Sequence, residues 1–251
     1  MLRNLKNKLS KIIRTQQSHK KFKQDFENFL ELSDTQNINR IPIWNDRYPC
    51  LNDSTVTTAF DRHYIYHPAW AARILASISP NLHVDISSTL HFCTIVSAFI
   101  KTKFYDYRPA PVVLSGLESL SADLLSLDWP TNSIESLSCM HVLEHIGLGR
   151  YGDPLDPEGD IKAINELIRV VKPGGYLLVA VPVGQARICF NAHRVYNNQQ
   201  FINYFTGMEL VEMSLIPDGD APTGLIINPP ESMIDSQHYG CGCYWFKKYL
   251  Q

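Results

Sequence analysis

The sequence lacks any apolar run approaching the ~20 residues that a membrane-spanning helix needs, and no apolar segment follows its basic beginning as in a secretory signal peptide. These absences predict a protein that stays in the cytoplasm. The six cysteines include no CxxC pair, so neither a zinc ribbon nor a thioredoxin-like redox site is indicated. We interpret the cysteines as reduced thiols.

Acidic residues are missing from the first 24 positions, which carry eight of the 23 lysines and arginines. All 25 acidic residues lie beyond this segment, together with the other 15 basic residues. The body of the protein therefore lacks the basic footprint of a nucleic-acid-binding domain, and no nucleic-acid partner is expected.

The basic beginning of the chain has an amphipathic pattern. We predict a helical extension over residues 1–31, an irregular connector over 32–60 and one α/β domain over 60–251. The helix is expected to pack on a protein surface, to contact an anionic membrane through residues 1–24, or to serve as a transit peptide. Its apolar positions recur at helical spacing at Leu2, Leu5, Leu9 and Ile12.

Strands and helices alternate through the rest of the chain, which predicts a Rossmann-like, doubly wound and mostly parallel sheet. Lys172-Pro-Gly-Gly175 is expected to end the last long helix. Helices are predicted from His67-Pro68 to Pro80, over 90–100 and from a capping Asp160, and strands over 82–86, 103–106, 119–123, 134–141, 176–182 and 240–248.

Polar residues follow the predicted strands at the sheet edge where such folds bind ligands. Their order resembles that of class I S-adenosylmethionine (SAM) methyltransferases. The block His141-Val-Leu-Glu-His-Ile146, followed by Lys172-Pro-Gly-Gly175, carries most of this resemblance. Stretches such as Val84-Asp-Ile-Ser-Ser88 and Phe190-Asn-Ala-His-Arg194 are similar to a bacterial group of methyltransferase-like proteins known only as a domain of unknown function. The resemblance covers residues 60–248.

This resemblance implies SAM as the cofactor. Asp106 would accept the ribose hydroxyl groups, because an ionised carboxylate offers several lone pairs. Asp123 would receive the adenine amino group, with Leu124 against the ring. The other residues implied on the cofactor side are Asp85, Ser87, Ser88 and His141.

The expected cofactor loop is poor in glycine. In the wider superfamily, glycines after the first strand let the backbone approach the cofactor. This chain has Ser87, Thr89 and His91 in their place. Three alternatives stay open: a modified but working SAM site, a relic fold without SAM, or a site for another nucleotide-like ligand.

The acceptor side of the expected site contains histidines and arginines. We expect His145 to act as the general base, because imidazole titrates near neutral pH, with Glu144 holding the acceptor or orienting a histidine. Two cationic loops suggest an anionic acceptor. Their expected substrate-binding residues are Arg150 and Tyr151 in one loop, and His193 and Arg194 in the other.

No metal is expected. His141 and His145 have metal-pair spacing, but the sequence shows no third ligand at a defined distance, and Cys241 and Cys243 are expected to pack in a terminal strand.

The leading hypothesis is O-methylation of a small anionic or saccharide-linked acceptor. The alternatives are a non-catalytic domain that binds a partner in glycan assembly, or the same fold acting on another ligand such as a nucleotide sugar. The oligomeric state is not indicated.

Overall fold

The computed structural model describes residues 2–33, 40–219 and 223–250, with side chains for Ser10 and from Ile12 onward. The chain divides into two compact units, Met1–Ala59 and Phe60–Gln251. None of the described helices has the length and apolarity required to cross a bilayer.

The first unit contains one long helix, α1 (Leu2–Leu32), and a short 3-10 turn at Trp44–Asp46. The ring of Phe26 packs edge-on against Trp44, with centroids 4.9 Å apart. Ile12 and Ile13 are half exposed. The predicted stripe at Leu2, Leu5 and Leu9 lies outside the described side chains.

The second unit is built on one eight-stranded sheet in the order β3-β2-β1-β4-β5-β10-β8-β9. The first five strands in this order are parallel, and β10 lies antiparallel between β5 and β8. The predicted doubly wound, mostly parallel sheet is confirmed. The strands are β1 (Leu82–Ile86), β2 (Lys101–Asp106), β3 (Leu117–Ser121), β4 (Ile134–Met140), β5 (Val171–Val183), β8 (Met208–Ile216), β9 (Ile226–Ile227) and β10 (Gly240–Lys248), while β6 (Arg187–Cys189) and β7 (His193–Val195) form a separate hairpin.

Helices cover both faces of the sheet because its central strands are apolar on both sides. Val179 and Val181 of β5 pack with the core on one face, and Leu178 and Ala180 pack with the core on the other. The helices of this unit are α2 (Arg62–Ile78), α3 (Leu90–Val96), α4 (Gly159–Val170), α5 (Asn198–Asn203) and α6 (Glu231–Asp235).

Several predicted element ends are wrong. Helix α2 begins at Arg62 rather than at His67, because Asp61 caps it by accepting a hydrogen bond from the Tyr64 backbone N–H at 3.3 Å, so Pro68 lies inside the helix. Helix α3 ends at Val96, four residues before the predicted end, and β3 ends at Ser121, before Asp123.

The end and the cap of α4 also differ from prediction. The helix stops at Val170, and Lys172-Pro-Gly-Gly175 lies within β5 where the register with β4 shifts. Glu158 is the N-cap of the helix and makes no side-chain capping hydrogen bond, whereas Asp160 lies in the first turn. The Asp160 carboxylate accepts a hydrogen bond from the Tyr196 hydroxyl at 2.9 Å.

Candidate functional site

A cavity of about 1220 Å³ opens at the edge where the parallel strands end. Strands β1 and β4 are neighbours there, and the chain leaves them in opposite directions along the sheet, which is the usual ligand position in this architecture. The cavity is larger than the range of roughly 300–1,000 Å³ that is typical of ligand pockets. Its lining consists of Asp61, Arg62, His63, Tyr64, Ser87, Ser88, Thr89, Met140, His141, Glu144, His145, Arg150, Tyr151, Asn191, Ala192, His193, Pro217, Asp218, Gly219, His238 and Tyr239.

Three non-glycine residues that line this cavity have left-handed backbone conformations, Asn191 with φ of 63° among them. Ser87 follows β1 with φ of 56°, and His141 follows β4 with φ of 58°. Residues other than glycine adopt this conformation at an energetic cost, and such residues are concentrated at functional sites. At Ser87, the backbone therefore keeps a conformation that glycine adopts freely.

The side chains of the cofactor loop point mainly into the protein. The Ser87 hydroxyl donates to the Tyr105 carbonyl at 3.2 Å, the Ser88 hydroxyl accepts from the Met140 N–H at 3.0 Å, and Thr89 caps α3. His91 is exposed and lines a separate groove between α2 and α3. These hydroxyl groups therefore fix the loop, and His91 does not line the main cavity.

Asp85 does not line the cavity, contrary to its expected position on the cofactor. Its side chain is fully buried, accepts hydrogen bonds from the Ser138 hydroxyl and the Ser88 N–H, and anchors the loop from below. Burial raises the pKa of Asp85 to about 6, although the hydrogen bonds from Ser138 and Ser88 lower it.

A smaller cavity of about 390 Å³ lies beside the main one and shares Ser88 with it. Asp106, at the end of β2, lines this cavity, and its Oδ1 accepts the Arg108 N–H at 2.7 Å. The Arg108 guanidinium carbon lies 5.0 Å from the centroid of the Tyr151 ring, which lines the main cavity. We refer to the two adjacent cavities, at the ends of β2, β1 and β4, as the groove.

The expected adenine contacts lie apart from this groove. Asp123 accepts the Leu125 N–H at 2.9 Å in a tight turn, and Leu124 is buried in the core with 6% of its surface exposed. Both residues follow β3, the outermost strand of the parallel part of the sheet, and neither lines the two cavities.

A buried ion pair forms the floor of the main cavity. His141 Nδ1 lies 2.7 Å from Glu144 Oε1, and Glu144 Oε2 has no hydrogen-bond partner among the described residues. Burial opposes ionisation of both groups, yet the His141 ring lowers the pKa of Glu144. The Cys241 sulfur and the Glu144 carboxylate together raise the pKa of His141 to about 10 despite its burial. Each group therefore favours the charged form of the other.

His145 is oriented as a neutral imidazole. Its Nδ1 lies 2.6 Å from the Ala192 carbonyl oxygen, to which it donates, so its Nε2 keeps a lone pair, 3.8 Å from Glu144 Oε1. Burial is the main cause that lowers the pKa of His145, and the Arg150 guanidinium lowers it further.

Arg150, Tyr151 and His193 line the main cavity, as expected for its acceptor side. The Arg150 guanidinium donates to the Ala192 carbonyl at 3.1 Å and lies 5.1 Å from the Tyr151 ring centroid. The His193 ring packs against Tyr239, with centroids 4.8 Å apart.

The expected role of Arg194 at the acceptor is wrong. The side chain is buried and donates to the carbonyls of Ile146 and Pro157, at 2.7 and 3.2 Å, and it lies 3.4 Å from Asp160. Its three nitrogens are therefore directed to two backbone carbonyls and to Asp160 rather than to the cavity. One of the two predicted arginines therefore faces the cavity.

Helix α2 and strand β10 contribute residues beside His141 that the sequence did not indicate. His63 and Tyr64 of α2 stack near His141, with centroids 5.2 and 5.3 Å from its ring. Cys241 Sγ, in β10, lies 3.4 Å from His141 Nε2. The histidines at positions 63 and 67 are the sequence signal for this region, but nothing in the sequence connects them with position 241.

Comparison with known protein families gives one match: residues 121–221 match a family described as Caenorhabditis protein of unknown function, DUF268. The matched segment includes His141, Glu144, His145, Arg150 and His193. No curated protein sequence matches the chain significantly.

Solved structures of methyltransferases resemble the chain at low sequence identity. The 1,6-didemethyltoxoflavin-N1-methyltransferase of Burkholderia thailandensis aligns with a TM-score of 0.53 and 10% identity, over 73% of this chain and 78% of that one. The N-methyltransferase NodS of Bradyrhizobium japonicum aligns with a TM-score of 0.50 and 16% identity, over 72% and 85%. Both were crystallised with S-adenosylhomocysteine. The chain therefore has the fold of class I SAM-dependent methyltransferases.

Proposed function

We propose that this protein binds SAM and transfers its methyl group to an oxygen atom of a small anionic or saccharide-linked acceptor. The observation that carries the proposal is the pair of adjacent cavities at the ends of β2, β1 and β4, with Asp106 lining the smaller one and His145 and Arg150 lining the main one. SAM is a cofactor of two proteins with this fold whose structures contain its product form.

The groove fits the cofactor at its nucleoside end. One oxygen of Asp106 is bonded to the Arg108 N–H, and the second is available to accept ribose hydroxyl groups. The left-handed turn at Ser87 brings the loop backbone to the cavity, since the hydroxyl groups of this loop are directed into the protein. SAM, when bound, supplies an electrophilic methyl group.

The acceptor end offers one base and one cation. His145 Nε2 has the free lone pair that removes a proton from a hydroxyl group, and the low pKa of this histidine keeps it unprotonated. Arg150 holds the negative charge of an anionic acceptor, and the Tyr151 ring offers an apolar face beside it. The saccharide part of the proposal rests on the family resemblance.

We predict that His145→Ala lowers turnover far more than it weakens SAM binding, because it removes the proton acceptor and leaves the nucleoside end intact. Arg150→Ala should mainly raise the acceptor KM, since it removes a contact that exists before the reaction. Steady-state kinetics with methyl-labelled SAM and a panel of sugar phosphates, sugar nucleotides and hydroxy acids checks both. Arg73→Ala, which changes an exposed arginine of α2 outside the cavity lining, is the matched control. Wild-type turnover of His145→Ala across about pH 6–9 would contradict the assignment of the base.

A second candidate is supported by the glycine-poor loop after β1. Ser87 and Thr89 add side chains where the superfamily has glycine, so a domain that binds a partner in glycan assembly, or another nucleotide-like ligand, is the alternative function. Either alternative predicts that the protein does not bind SAM. If the groove binds another nucleotide-like ligand, a nucleotide sugar should bind there saturably.

We propose that the basic segment 1–24 contacts the anionic cytoplasmic face of a membrane. The eight cations and the half-exposed Ile12 and Ile13 support this proposal, because basic amphipathic helices bind such surfaces through charge and apolar burial together.

A further inference from the structure

Three side chains that are distant in sequence converge beneath the main cavity. Each of His63, His141 and Cys241 offers a metal-ligating atom, and these atoms lie within 4.8 Å of one another. They meet because β10 runs antiparallel to its neighbour β5, so its first residues lie at the edge where β4 ends, and the first turn of α2 reaches the same edge.

The spacing of these atoms suits a tetrahedral ion. Zinc bonds of about 2.0 Å to nitrogen and 2.3 Å to sulfur place two tetrahedral ligands about 3.5 Å apart. Cys241 Sγ and His141 Nε2 are 3.4 Å apart. The His63 nitrogen lies within 4.8 Å of both atoms, so a small movement of this side chain is needed to close the site around an ion.

The surroundings also match those of a metal-binding histidine. The Glu144 carboxylate holds the other ring nitrogen of His141 at 2.7 Å, an arrangement that fixes the ring and directs Nε2 outward. His67 lies next to this ring, with centroids 5.0 Å apart. Its side chain is fully buried, and its Nε2 has no hydrogen-bond partner among the described residues.

We propose that His63, His141 and Cys241 bind one Zn²⁺ ion. Two imidazoles and one thiolate are ligands that zinc prefers, and three protein ligands leave a fourth position. Since His63 and His141 line the cavity and Cys241 lies beneath them, this fourth position faces the cavity, where a water molecule or an acceptor oxygen binds. The site requires no SAM, so it goes beyond the proposed function.

The test is metal binding by the purified full-length protein. After treatment with a chelator, the protein should bind one equivalent of Zn²⁺ in competition with a chromophoric chelator. Cobalt in place of zinc should show a thiolate-to-metal charge-transfer band in the near ultraviolet and the visible absorption of a tetrahedral ion. Cys241→Ser should abolish the charge-transfer band and weaken zinc binding by more than about 100-fold, since even outer-shell substitutions reduce affinity by about 10–100-fold.

Two further variants keep the test decisive if Cys241→Ser folds poorly. His63→Ala alters a partly exposed helix residue and should weaken zinc binding to a similar extent, whereas Glu144→Gln should weaken it by about 10–100-fold. Cys243→Ser is the matched control, because this cysteine is equally buried on the same strand, 3.9 Å from Cys241, and should leave the cobalt spectrum unchanged. Circular dichroism confirms the fold of each variant.

Three outcomes would overturn the proposal: no stoichiometric zinc binding, a cobalt spectrum without the thiolate band, or equal losses in Cys243→Ser and Cys241→Ser. The site would be assigned to copper rather than zinc if it bound Cu²⁺ more tightly than Zn²⁺ by more than such sites normally do, and if the same variants weakened Cu²⁺ binding. Because none of these measurements includes SAM, their failure is distinct from failure of the proposed methyltransferase function.

Discussion

Polar side chains form a buried chain between β1 and β4. His83 bridges the hydroxyl groups of Ser136 and Ser138, at 2.8 and 2.9 Å, and Ser138 donates to Asp85. Burial lowers the pKa of His83 to about 3, so its ring is neutral. A satisfied polar network in a sheet interior positions the strands it connects, and here it ends directly under the loop at Ser88.

Asp85 should make stability depend on pH. Its folded pKa, about 6, is above its ordinary value of 3.8, so its favourable contribution is complete below pH ~4 and is lost as pH rises through about 6. A shift of this size corresponds to about 3 kcal/mol. We predict that Asp85→Asn, which cannot ionise, gains about 2 kcal/mol relative to wild type between about pH 4.5 and 7.5, since the remainder is already lost at pH 4.5.

Urea unfolding at the two pH values measures this difference, and Asp128→Asn, at an exposed acid, is the control. A free-energy difference between Asp85→Asn and wild type that does not change with pH would refute the raised pKa.

Individual residues show where prediction from sequence fails. Position after a strand correctly indicated that Glu144, His145 and Arg150 line the cavity. The same rule failed for Arg194, which pairs with Asp160, because strand register rather than sequence spacing decides whether a side chain turns inward. Asp85 failed for a related reason: it is the penultimate residue of β1 and lies inside the sheet.

At the scale of elements, the buried strands were the most predictable. Strand β1 has the predicted bounds, and β10 has the predicted bounds at the end of the chain, because apolar positions recur in both and turn residues precede them. The helix ends were less predictable, since caps compete with proline signals: Asp61 starts α2 seven residues before Pro68.

The basic part of α1 gives a prediction at this scale. Full-length protein should co-sediment with vesicles that contain anionic lipid, and should dissociate as salt rises, because lysines and arginines near such a surface contribute about 1 kcal/mol each. Deletion of residues 1–24 should abolish this binding and leave the thermal unfolding of the second unit unchanged, since that unit has its own core. Vesicles of neutral lipid are the control. Equal co-sedimentation of full-length and truncated protein rejects a membrane role for this segment.

For the whole molecule, the alternation of strands and helices was sufficient to predict the sheet, and the polar residues after the strands predicted the edge that carries the site. The contribution of His63 and Cys241 could not be predicted, because it depends on an antiparallel strand and a helix start that return to the same edge from opposite ends of the unit. Sequence spacing holds no information about such a meeting. The sequence shows no third ligand close to His141, but residues that are distant in sequence can still lie beside it in the fold.

The proposed function depends most directly on SAM binding at the groove. Isothermal titration calorimetry of the wild-type protein with SAM should show one site, with S-adenosylhomocysteine as a competitor. Asp106→Asn keeps the acceptor for the Arg108 N–H and replaces the other carboxylate oxygen by an N–H donor, so SAM binding should weaken by about 1–3 kcal/mol, or about 5–150-fold. Asp128→Asn should bind SAM as wild type does. If the folded wild-type protein shows no heat and no thermal shift with either compound, the groove is not a SAM site and the proposed function is contradicted.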